Sequence, residues 1–171
     1  MPHRIVFTGP ESSGKTTLTK MVAEEFDCPW LPEYARDYLT RLGRPYRPAD
    51  LVEIAKGQLQ SQVDFAKRNP NCAYHFFDTS LLVIKIWSVF KYGFYNIQLE
   101  KLLLKNLPDC FILCDYQIPW EYDELRETPQ SRDVLYDLYK KNLEKLNVPF
   151  YEISGNKAER LVKVKEILSH I

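Results

Sequence analysis

The chain has 171 residues, 45% of them hydrophobic and 27% charged, which is the size and composition of one soluble globular domain. Lysine and arginine together number 23, as do aspartate and glutamate, so the formal net charge is zero and the broad positive field of a non-specific nucleic-acid binder is excluded. The N-terminus lacks the apolar segment of a secretory signal and no run reaches about 18 apolar residues, so we expect a cytoplasmic protein without a membrane partner.

Five short β-rich runs alternate along the chain with longer helical segments. The runs are RIVFTG (4–9), PWLPE (29–33), AYHFFD (73–78), DCFILCD (109–115) and PFYEIS (149–154). Apolar residues at helical spacing predict a first helix that ends near Glu25. The same spacing predicts five further helices, over residues 48–67, 80–91, 96–106, 131–146 and 157–170. This alternation predicts an α/β fold of three layers, in which helices flank a five-stranded parallel sheet. No repeat or linker divides the chain, so we expect residues 1–171 to form a single domain.

The four cysteines, Cys28, Cys72, Cys110 and Cys114, have neither C-x-x-C metal spacing nor the density of a disulfide framework. Cys110 and Cys114 fall on one face of a predicted strand but about 13 Å apart, which is too far for them to pair. We therefore expect reduced, buried thiols.

A phosphate-binding motif begins at Gly9, the last residue of the first run. Residues GPESSGKT (9–16) match G-x-x-x-x-G-K-[ST] in full, and an amphipathic helix follows. In this motif the backbone N–H groups turn toward phosphate oxygens, the lysine reaches the terminal phosphates and the hydroxyl holds Mg²⁺. We therefore expect ATP and Mg²⁺ as cofactors in a P-loop NTPase fold; the alternative is a Gly/Ser turn without nucleotide. The residues expected to bind the nucleotide are Gly9, Glu11, Ser12, Ser13, Gly14, Lys15, Thr16 and Thr17.

A second carboxylate on the Mg²⁺ side is expected at the end of another strand, and Asp78 ends the run YHFFD (74–78). Asp78 is therefore the predicted partner of Thr16 in the metal site and a candidate catalytic residue, as is Lys15. The alternative is that Asp78 caps the next helix, where Thr79 and Ser80 are competing caps.

The segment EYAR (33–36) follows the second run and is a candidate for the acceptor side of the site. In a parallel α/β sheet the active site forms at the carboxyl ends of the strands, which places this segment beside the phosphate-binding loop. Glu33 can accept the proton of an attacking hydroxyl, and Arg36 can anchor the transferred phosphoryl group or the acceptor. We expect Glu33, Tyr34, Arg36 and Asp78 to contact the acceptor. The alternative is an exposed ion pair between Glu33 and Arg36 at a helix start.

The segment after the fourth run, about residues 116–132, mixes charged, aromatic and proline residues without clear periodicity, which indicates a lid. Arg126 and Arg132 are its candidates for closing over the phosphates and neutralising charge in the transition state. The alternative is that both are solvated surface arginines. In the loop after the fifth run, Asn156 is a candidate contact for the nucleotide base, with a plain turn as the alternative.

With these residues in place, the chain resembles the ribosylnicotinamide kinase domain of the NadR type, within the P-loop nucleoside and nucleotide kinases. The segments that carry the resemblance are FTGPESSGKTTLT, PEYARDYL, IAKGQ, FFDTSLLVIKIW, PWEYDELRE and YEISG, which extend from residue 7 to residue 155. The resemblance implies transfer of the γ-phosphoryl group of ATP to the 5′-hydroxyl of nicotinamide riboside, giving nicotinamide mononucleotide. Position by position, it assigns phosphate and Mg²⁺ to Lys15 and Thr16, the acceptor side to Glu33 and Asp78, and the lid to Arg126 and Arg132.

The chain also departs from that family in two respects. Multifunctional proteins of this type carry an adenylyltransferase domain as well, and because this chain starts at the phosphate-binding strand we expect neither adenylylation nor repression. Some members place a Trp directly before the Glu of the EY motif, against the nicotinamide ring, whereas this position is Pro32 here.

An aromatic residue elsewhere is expected to replace that ring contact. The nicotinamide ring is a cationic pyridinium, which an aromatic face within about 6 Å attracts by about 0.5–2 kcal/mol. The candidates are Trp30, Phe65, Trp87, Tyr92 and Tyr122. Phe65 is preferred because it matches a family aromatic, whereas Trp87 belongs to the apolar pattern of a helix and is expected in the core.

Two other functions fit the same motifs. One is a kinase for another nucleoside or a small phosphorylated metabolite, since the loop, Glu33 and the lid would look much the same. The other is a regulatory ATPase that signals to a partner and has no acceptor hydroxyl for Glu33 to activate. Acceptor-dependent phosphorylation separates all three.

Overall fold

The computed structural model describes residues 1–125 and 130–171. All strand pairs are parallel, in the sheet order β2-β3-β1-β4-β5. The strands are β1 (His3–Thr8), β2 (Trp30–Leu31), β3 (Tyr74–Asp78), β4 (Cys110–Cys114) and β5 (Phe150–Ile153). The predicted α/β fold with a five-stranded parallel sheet is therefore confirmed.

Helices connect the strands and cover both faces of the sheet. Those in the described residues are α1 (Lys15–Glu25), α2 (Tyr34–Leu42), α3 (Pro48–Arg68), α4 (Leu81–Tyr92), α5 (Ile97–Lys105), α6 (Arg132–Leu143) and α7 (Lys157–Leu168). Their ends follow local chemistry: Pro48 is the first residue of α3, and the Ser80 side chain accepts a hydrogen bond from the Leu82 N–H at the start of α4. Gly93, at φ +76°, ends α4 in the left-handed region that glycine favours.

Alternate residues of the central strand belong to two separate cores. Val6 of β1 lies in the core formed with α3 to α6, whereas Ile5 and Phe7 lie in the core formed with α1 and α7. This is the period-two alternation of a strand buried on both faces. The sheet is thus the middle layer of three, as predicted.

Helix α2 was not among the predicted helices. None of its residues is fully buried, but Tyr34, Tyr38 and Leu39 share one side of the helix and pack against the core, so an apolar stripe was present in the sequence and was missed. It packs on α3, where a Cβ on Gly57 would lie 2.2 Å from the ring of Tyr34, so the glycine allows the two helices to approach. Strand β2 has two residues instead of the predicted five, since Pro29 and Pro32 flank it and proline has no N–H for the ladder.

The four cysteines are free, as predicted, but only two of them are buried. Cys110 and Cys114 lie in the same core, and burial raises the pKa of each to about 12. Cys28 and Cys72 are half-buried, so the prediction of buried thiols is wrong for this pair. Among the helices of the described residues, none has the length and apolar character needed to cross a bilayer.

Candidate active site

The carboxyl ends of the strands meet at one edge of the sheet, beside a cavity of about 320 Å³. The phosphate-binding loop follows β1 along this edge, Glu33 follows β2, and Asp78 ends β3. The cavity is lined by the loop, by Glu33 and Arg36, and by Trp87 of α4. The parallel sheet therefore brings residues that are distant in the sequence to one place.

Two glycines of the loop adopt conformations that no other residue could adopt without strain. Gly9 has φ +137°, and a Cβ there would lie 2.5 Å from the carbonyl oxygen of Cys114. Gly14 has φ +77° and directly precedes α1. Ser12 between them also has a positive φ, +53°. This curled backbone, followed by a helix N-terminus, is the arrangement that binds phosphate oxygens.

Lys15, Thr16 and Asp78 form the polar centre of the site. The Lys15 ammonium donates to the Pro10 carbonyl at 2.7 Å, and the Thr16 hydroxyl donates to Asp78 Oδ2 at 2.5 Å. The other carboxylate oxygen of Asp78 is buried and has no hydrogen-bond partner among the described residues. Mg²⁺ prefers hard oxygen ligands of this kind, so the residues present fit the predicted Mg²⁺ site.

Glu33 is the titratable group of the site that is best tuned for proton transfer. Burial and the charge of Asp78 raise the pKa of Glu33 to about 7, against the opposing effect of Lys15 and Arg36. Burial also raises the pKa of Asp78. A carboxylate whose pKa lies near neutrality is suited to act as a general base at physiological pH.

The backbone is strained directly after Asp78. Thr79 has φ +72°, which is rare for a β-branched residue, and its N–H donates to the Phe7 carbonyl at 3.0 Å. The Thr79 side chain is close enough to Glu33 to favour the ionised carboxylate, which opposes the rise in the pKa of Glu33. Strain of this kind costs about 1–3 kcal/mol and is concentrated at functional sites. Thr79 thus lies beside both acidic residues of the site.

Among the described residues, two arginines line the cavity, and each is paired with an aspartate. Arg36 contacts Asp123 at 2.8 Å, which joins α2 to the segment after β4. Arg44 contacts both carboxylate oxygens of Asp50, at 2.8 and 2.9 Å, and these bonds, with the Arg47 N–H, hold the pKa of Asp50 at about 2. The alternative of an ion pair between Glu33 and Arg36 is therefore not observed, since Arg36 pairs with Asp123.

Arg132, predicted to belong to a lid, lies against the phosphate-binding loop. Its guanidinium donates to the carbonyls of Ile118 at 2.9 Å and Ser12 at 3.3 Å, and lies over the Trp120 ring at 5.7 Å. The Ser12 hydroxyl also accepts a hydrogen bond from the Glu121 N–H at 2.9 Å. These contacts hold the segment after β4 on the loop. Arg126 lies outside the described residues.

Four predicted contacts do not line the cavity. Asp78 is buried behind it, against the Thr16 hydroxyl. Phe65 is buried in the core, edge-on to the rings of His75 and Phe77, because its side of α3 faces the sheet. Tyr34 packs on Gly57 instead. Asn156 caps α7, accepting from the N–H groups of residues 158 and 159 at 3.0 and 3.1 Å.

The aromatic lining of the cavity comes from residues that the sequence pattern assigned elsewhere or did not single out. Trp87, expected in the core, is half-buried and lines the cavity with Tyr46 and Tyr139. A helical apolar stripe gives no sign of whether each member faces a neighbour or a cavity.

A buried arginine of α7, Arg160, also escaped the sequence analysis. It donates to the Ser13 carbonyl of the loop at 2.7 Å and pairs with Asp115 at 2.8 Å. A signal was present: Arg160 has i, i+4, i+8 spacing with Val164 and Leu168, the buried residues of α7. A charged residue on a buried stripe indicates a specific buried partner.

Comparisons with known proteins place this site in context. A family model described as an AAA domain matches residues 4–160. The trifunctional NAD biosynthesis/regulator protein NadR of Escherichia coli K12 is 30% identical over 155 residues, which cover 87% of this chain and 37% of that protein. The chain thus spans under two fifths of the length of this relative.

Solved structures share the fold across nearly the whole chain. A NadR protein in complex with NR superimposes with a TM-score of 0.85 at 15% sequence identity. The match covers 99% of this chain and 52% of the NadR chain. Thymidylate kinase from Ehrlichia chaffeensis has a TM-score of 0.71 at 18% identity and covers 98% of both chains. At such identities the likeness establishes the fold.

Proposed function

The chain belongs to the AAA domain family, as a NadR-like P-loop kinase domain. From this premise we propose that it transfers the γ-phosphoryl group of ATP to the 5′-hydroxyl of nicotinamide riboside. The products are ADP and nicotinamide mononucleotide. The observation that carries the proposal is a cavity in which the phosphate-binding loop, a carboxylate with a pKa of about 7 and a half-buried tryptophan meet.

The nucleotide side of the reaction belongs to the loop and its neighbours. Lys15 would exchange its hydrogen bond with the Pro10 carbonyl for oxygens of the terminal phosphates. Thr16 and Asp78 would hold Mg²⁺, which when bound neutralises charge on the phosphates. The backbone N–H groups of residues 9–14 supply further donors in fixed directions.

Glu33 would act on the acceptor. Its carboxylate takes the proton of the 5′-hydroxyl as the bond from that oxygen to the γ-phosphorus forms and the bond to the oxygen bridging the β- and γ-phosphates breaks. Because burial, and to a smaller extent the charge of Asp78, raises the pKa of Glu33, the carboxylate is a stronger base than an exposed glutamate. Arg36, which is paired with Asp123, lines the cavity beside it.

The charges of the cavity support a cationic nucleoside over a nucleotide acceptor. Glu33, Glu121 and Glu124 line the cavity. Arg36 and Arg44, which could hold an acceptor phosphate, already pair with aspartates. An acceptor phosphate would therefore have to displace an ion pair, whereas a pyridinium ring is attracted by the carboxylates.

Trp87 supplies the aromatic face that a pyridinium ring needs. Its ring meets Phe90 edge-on, with 5.8 Å between centroids, which fixes its orientation at the cavity wall. Tyr46 also lines the cavity, but Lys91 lies over its ring at 3.8 Å, so a second cation there would be repelled. Trp87 therefore replaces Phe65 as the expected contact of the nicotinamide ring.

The test is product formation with MgATP, followed by mass spectrometry, for nicotinamide riboside, nicotinic acid riboside, thymidine, thymidine monophosphate, adenosine and no acceptor. Each is run with the wild type, with Lys15→Ala and with Trp87→Leu. We expect nicotinamide mononucleotide to form fastest, to vanish with Lys15→Ala, and to need about 2- to 30-fold more riboside for half-maximal rate with Trp87→Leu.

Other outcomes assign the alternatives. Preference for thymidine or adenosine that Trp87→Leu does not change would indicate a kinase for another nucleoside. ATP binding without phosphorylation of any acceptor would indicate a regulatory ATPase, and the proposal would be wrong.

A further inference from the structure

Arg160 has no part in the reaction described above, yet it is one of the most completely bonded side chains in the described part of the chain. It is 3% exposed and lies in the first turn of α7. Burying a guanidinium without partners is costly, so its contacts indicate what it holds.

Its three nitrogens donate to three different loops. Nη1 donates to the Ser13 carbonyl at 2.7 Å, Nε to the Gly155 carbonyl at 2.8 Å, and Nη2 to Asp115 Oδ1 at 2.8 Å. Asp115 follows β4 and Gly155 follows β5. Arg160 therefore fixes the phosphate-binding loop to the carboxyl ends of β4 and β5.

The contact with Ser13 determines the direction of the next N–H group. The Ser13 carbonyl and the Gly14 N–H belong to one planar trans peptide and point in opposite directions. Ser13 and Gly14 line the cavity, whereas Arg160 lies behind the loop and does not. A carbonyl held toward Arg160 thus turns the Gly14 N–H toward the cavity.

We propose that Arg160 is a positioning residue that holds the Gly14 N–H in the direction required for binding the phosphates of ATP. Asp115 and the Gly155 carbonyl fix the guanidinium, and the guanidinium fixes the peptide. The inference relies on the ATP binding of the proposed function and not on the identity of the acceptor.

Lysine cannot replace this arginine, because one ammonium cannot reach three partners that the planar guanidinium holds in fixed directions. With Arg160→Lys we expect the Kd of MgATP, measured by calorimetry without acceptor, to rise about tenfold or more. We expect the KM of the acceptor to change by less than about twofold, because Arg160 does not line the cavity. Asp115→Asn, which leaves Arg160 in place, should raise the Kd of MgATP by a smaller factor.

Arg4 offers a matched control. Its side chain is half-buried and donates to the carbonyls of Leu107 at 3.1 Å and Asn106 at 3.4 Å. These contacts lie at the opposite edge of the sheet, where the strands begin. Arg4→Gln should lower the thermal midpoint and leave the Kd of MgATP unchanged. A larger rise in the Kd of MgATP in the Arg160 variants than in Arg4→Gln would therefore not be explained by loss of stability.

Glycine labelling observes the peptide directly. The chain has six glycines, and labelling with ¹³C-carbonyl serine and ¹⁵N-glycine selects the peptides 13–14 and 154–155 in the NMR spectrum. Ser154→Ala removes the second signal and so assigns Gly14. On adding MgATP, the Gly14 amide proton should shift downfield in the wild type, and less in Arg160→Lys and Asp115→Asn.

The outcomes separate this inference from the proposed function. The inference alone would be overturned if Arg160→Lys bound MgATP with the wild-type Kd and showed the full shift of the Gly14 amide proton. If Arg160→Lys does not fold, the same result in Asp115→Asn would overturn it. Arg4→Gln weakening MgATP as strongly as Arg160→Lys would overturn it too. No MgATP binding by the wild type would overturn the proposed function, and the inference with it.

Discussion

The two edges of the parallel sheet each carry an arginine that donates to backbone carbonyls, but their other polar groups differ. At the amino edge, the Arg4 side chain donates to the Leu107 and Asn106 carbonyls, and the Arg4 N–H donates to Asp109 Oδ2 at 2.7 Å. His75 Nε2 is likewise 2.8 Å from the Asn69 carbonyl oxygen. These polar groups have partners within the protein.

The carboxyl edge holds polar atoms that lack such partners. Among the described residues, the hydroxyls of Thr8 and Ser13 and one oxygen of Asp78 are buried without a hydrogen bond. The neighbouring Thr79 has a positive φ. Each unmade bond costs about 1–3 kcal/mol, so this edge is less stable than it could be. The difference indicates that the amino edge stabilises the fold and that the carboxyl edge is arranged to bind ligands.

The sharpest test of that comparison is Glu33→Gln at the carboxyl edge. We expect kcat to fall about 10²- to 10⁴-fold, because the amide cannot take the acceptor proton, while the Kd of MgATP stays nearly constant. Product formation and calorimetry measure the two quantities. Asp37→Asn, which changes an exposed carboxylate of α2, is the matched control. An undiminished kcat in Glu33→Gln would show that Glu33 is not the base.

A second test is the pH profile of kcat/KM, which reports the free enzyme. Because the pKa of Glu33 is raised to about 7, the fraction of ionised base grows with pH and kcat/KM should rise about tenfold per pH unit below about 7, then level off. The rising limb should be absent from Glu33→Gln. A limb of equal slope in this variant would assign the titration to another group.

The same pKa has a smaller effect on stability. Between the ordinary value of 4.5 and about 7, the folded protein holds a proton on Glu33 that the unfolded chain has lost, so this residue lowers the free energy of unfolding as the pH rises. The thermal midpoint of Glu33→Gln should therefore fall less across this window than that of the wild type.

The smallest kinetic effect is expected at the amino edge. Arg4→Gln removes hydrogen bonds to the Leu107 and Asn106 carbonyls, and we expect the free energy of unfolding to fall by about 1–3 kcal/mol while kcat and both KM values stay unchanged. Urea unfolding and steady-state kinetics measure these effects. If Arg4→Gln slowed the reaction, the separation between a stabilising and a functional edge would be wrong.

The residues around the phosphate-binding loop were predictable because local chemistry determines them. Gly9 and Gly14 are required by positive φ values, Thr16 belongs to the motif that begins after β1, and Asp78 ends β3, whose apolar run is visible in the sequence. Alternation with crossover helices predicts parallel strands, and this rule needs no knowledge of side-chain packing. The sequence therefore determined the fold class and the residues of the phosphate-binding loop, whereas the order of the strands came from the structure.

Only the tertiary structure decided the acceptor side and the support of the loop. Phe65 and Trp87 both lie on helices with apolar stripes, and their positions are reversed relative to the prediction because packing places Phe65 against the sheet and Trp87 at the cavity. Arg160 reaches Ser13 across 147 positions of sequence. Periodicity shows which face of a helix is apolar. It does not show which elements pack against that face, because those contacts depend on how the helices cross the sheet in the folded chain.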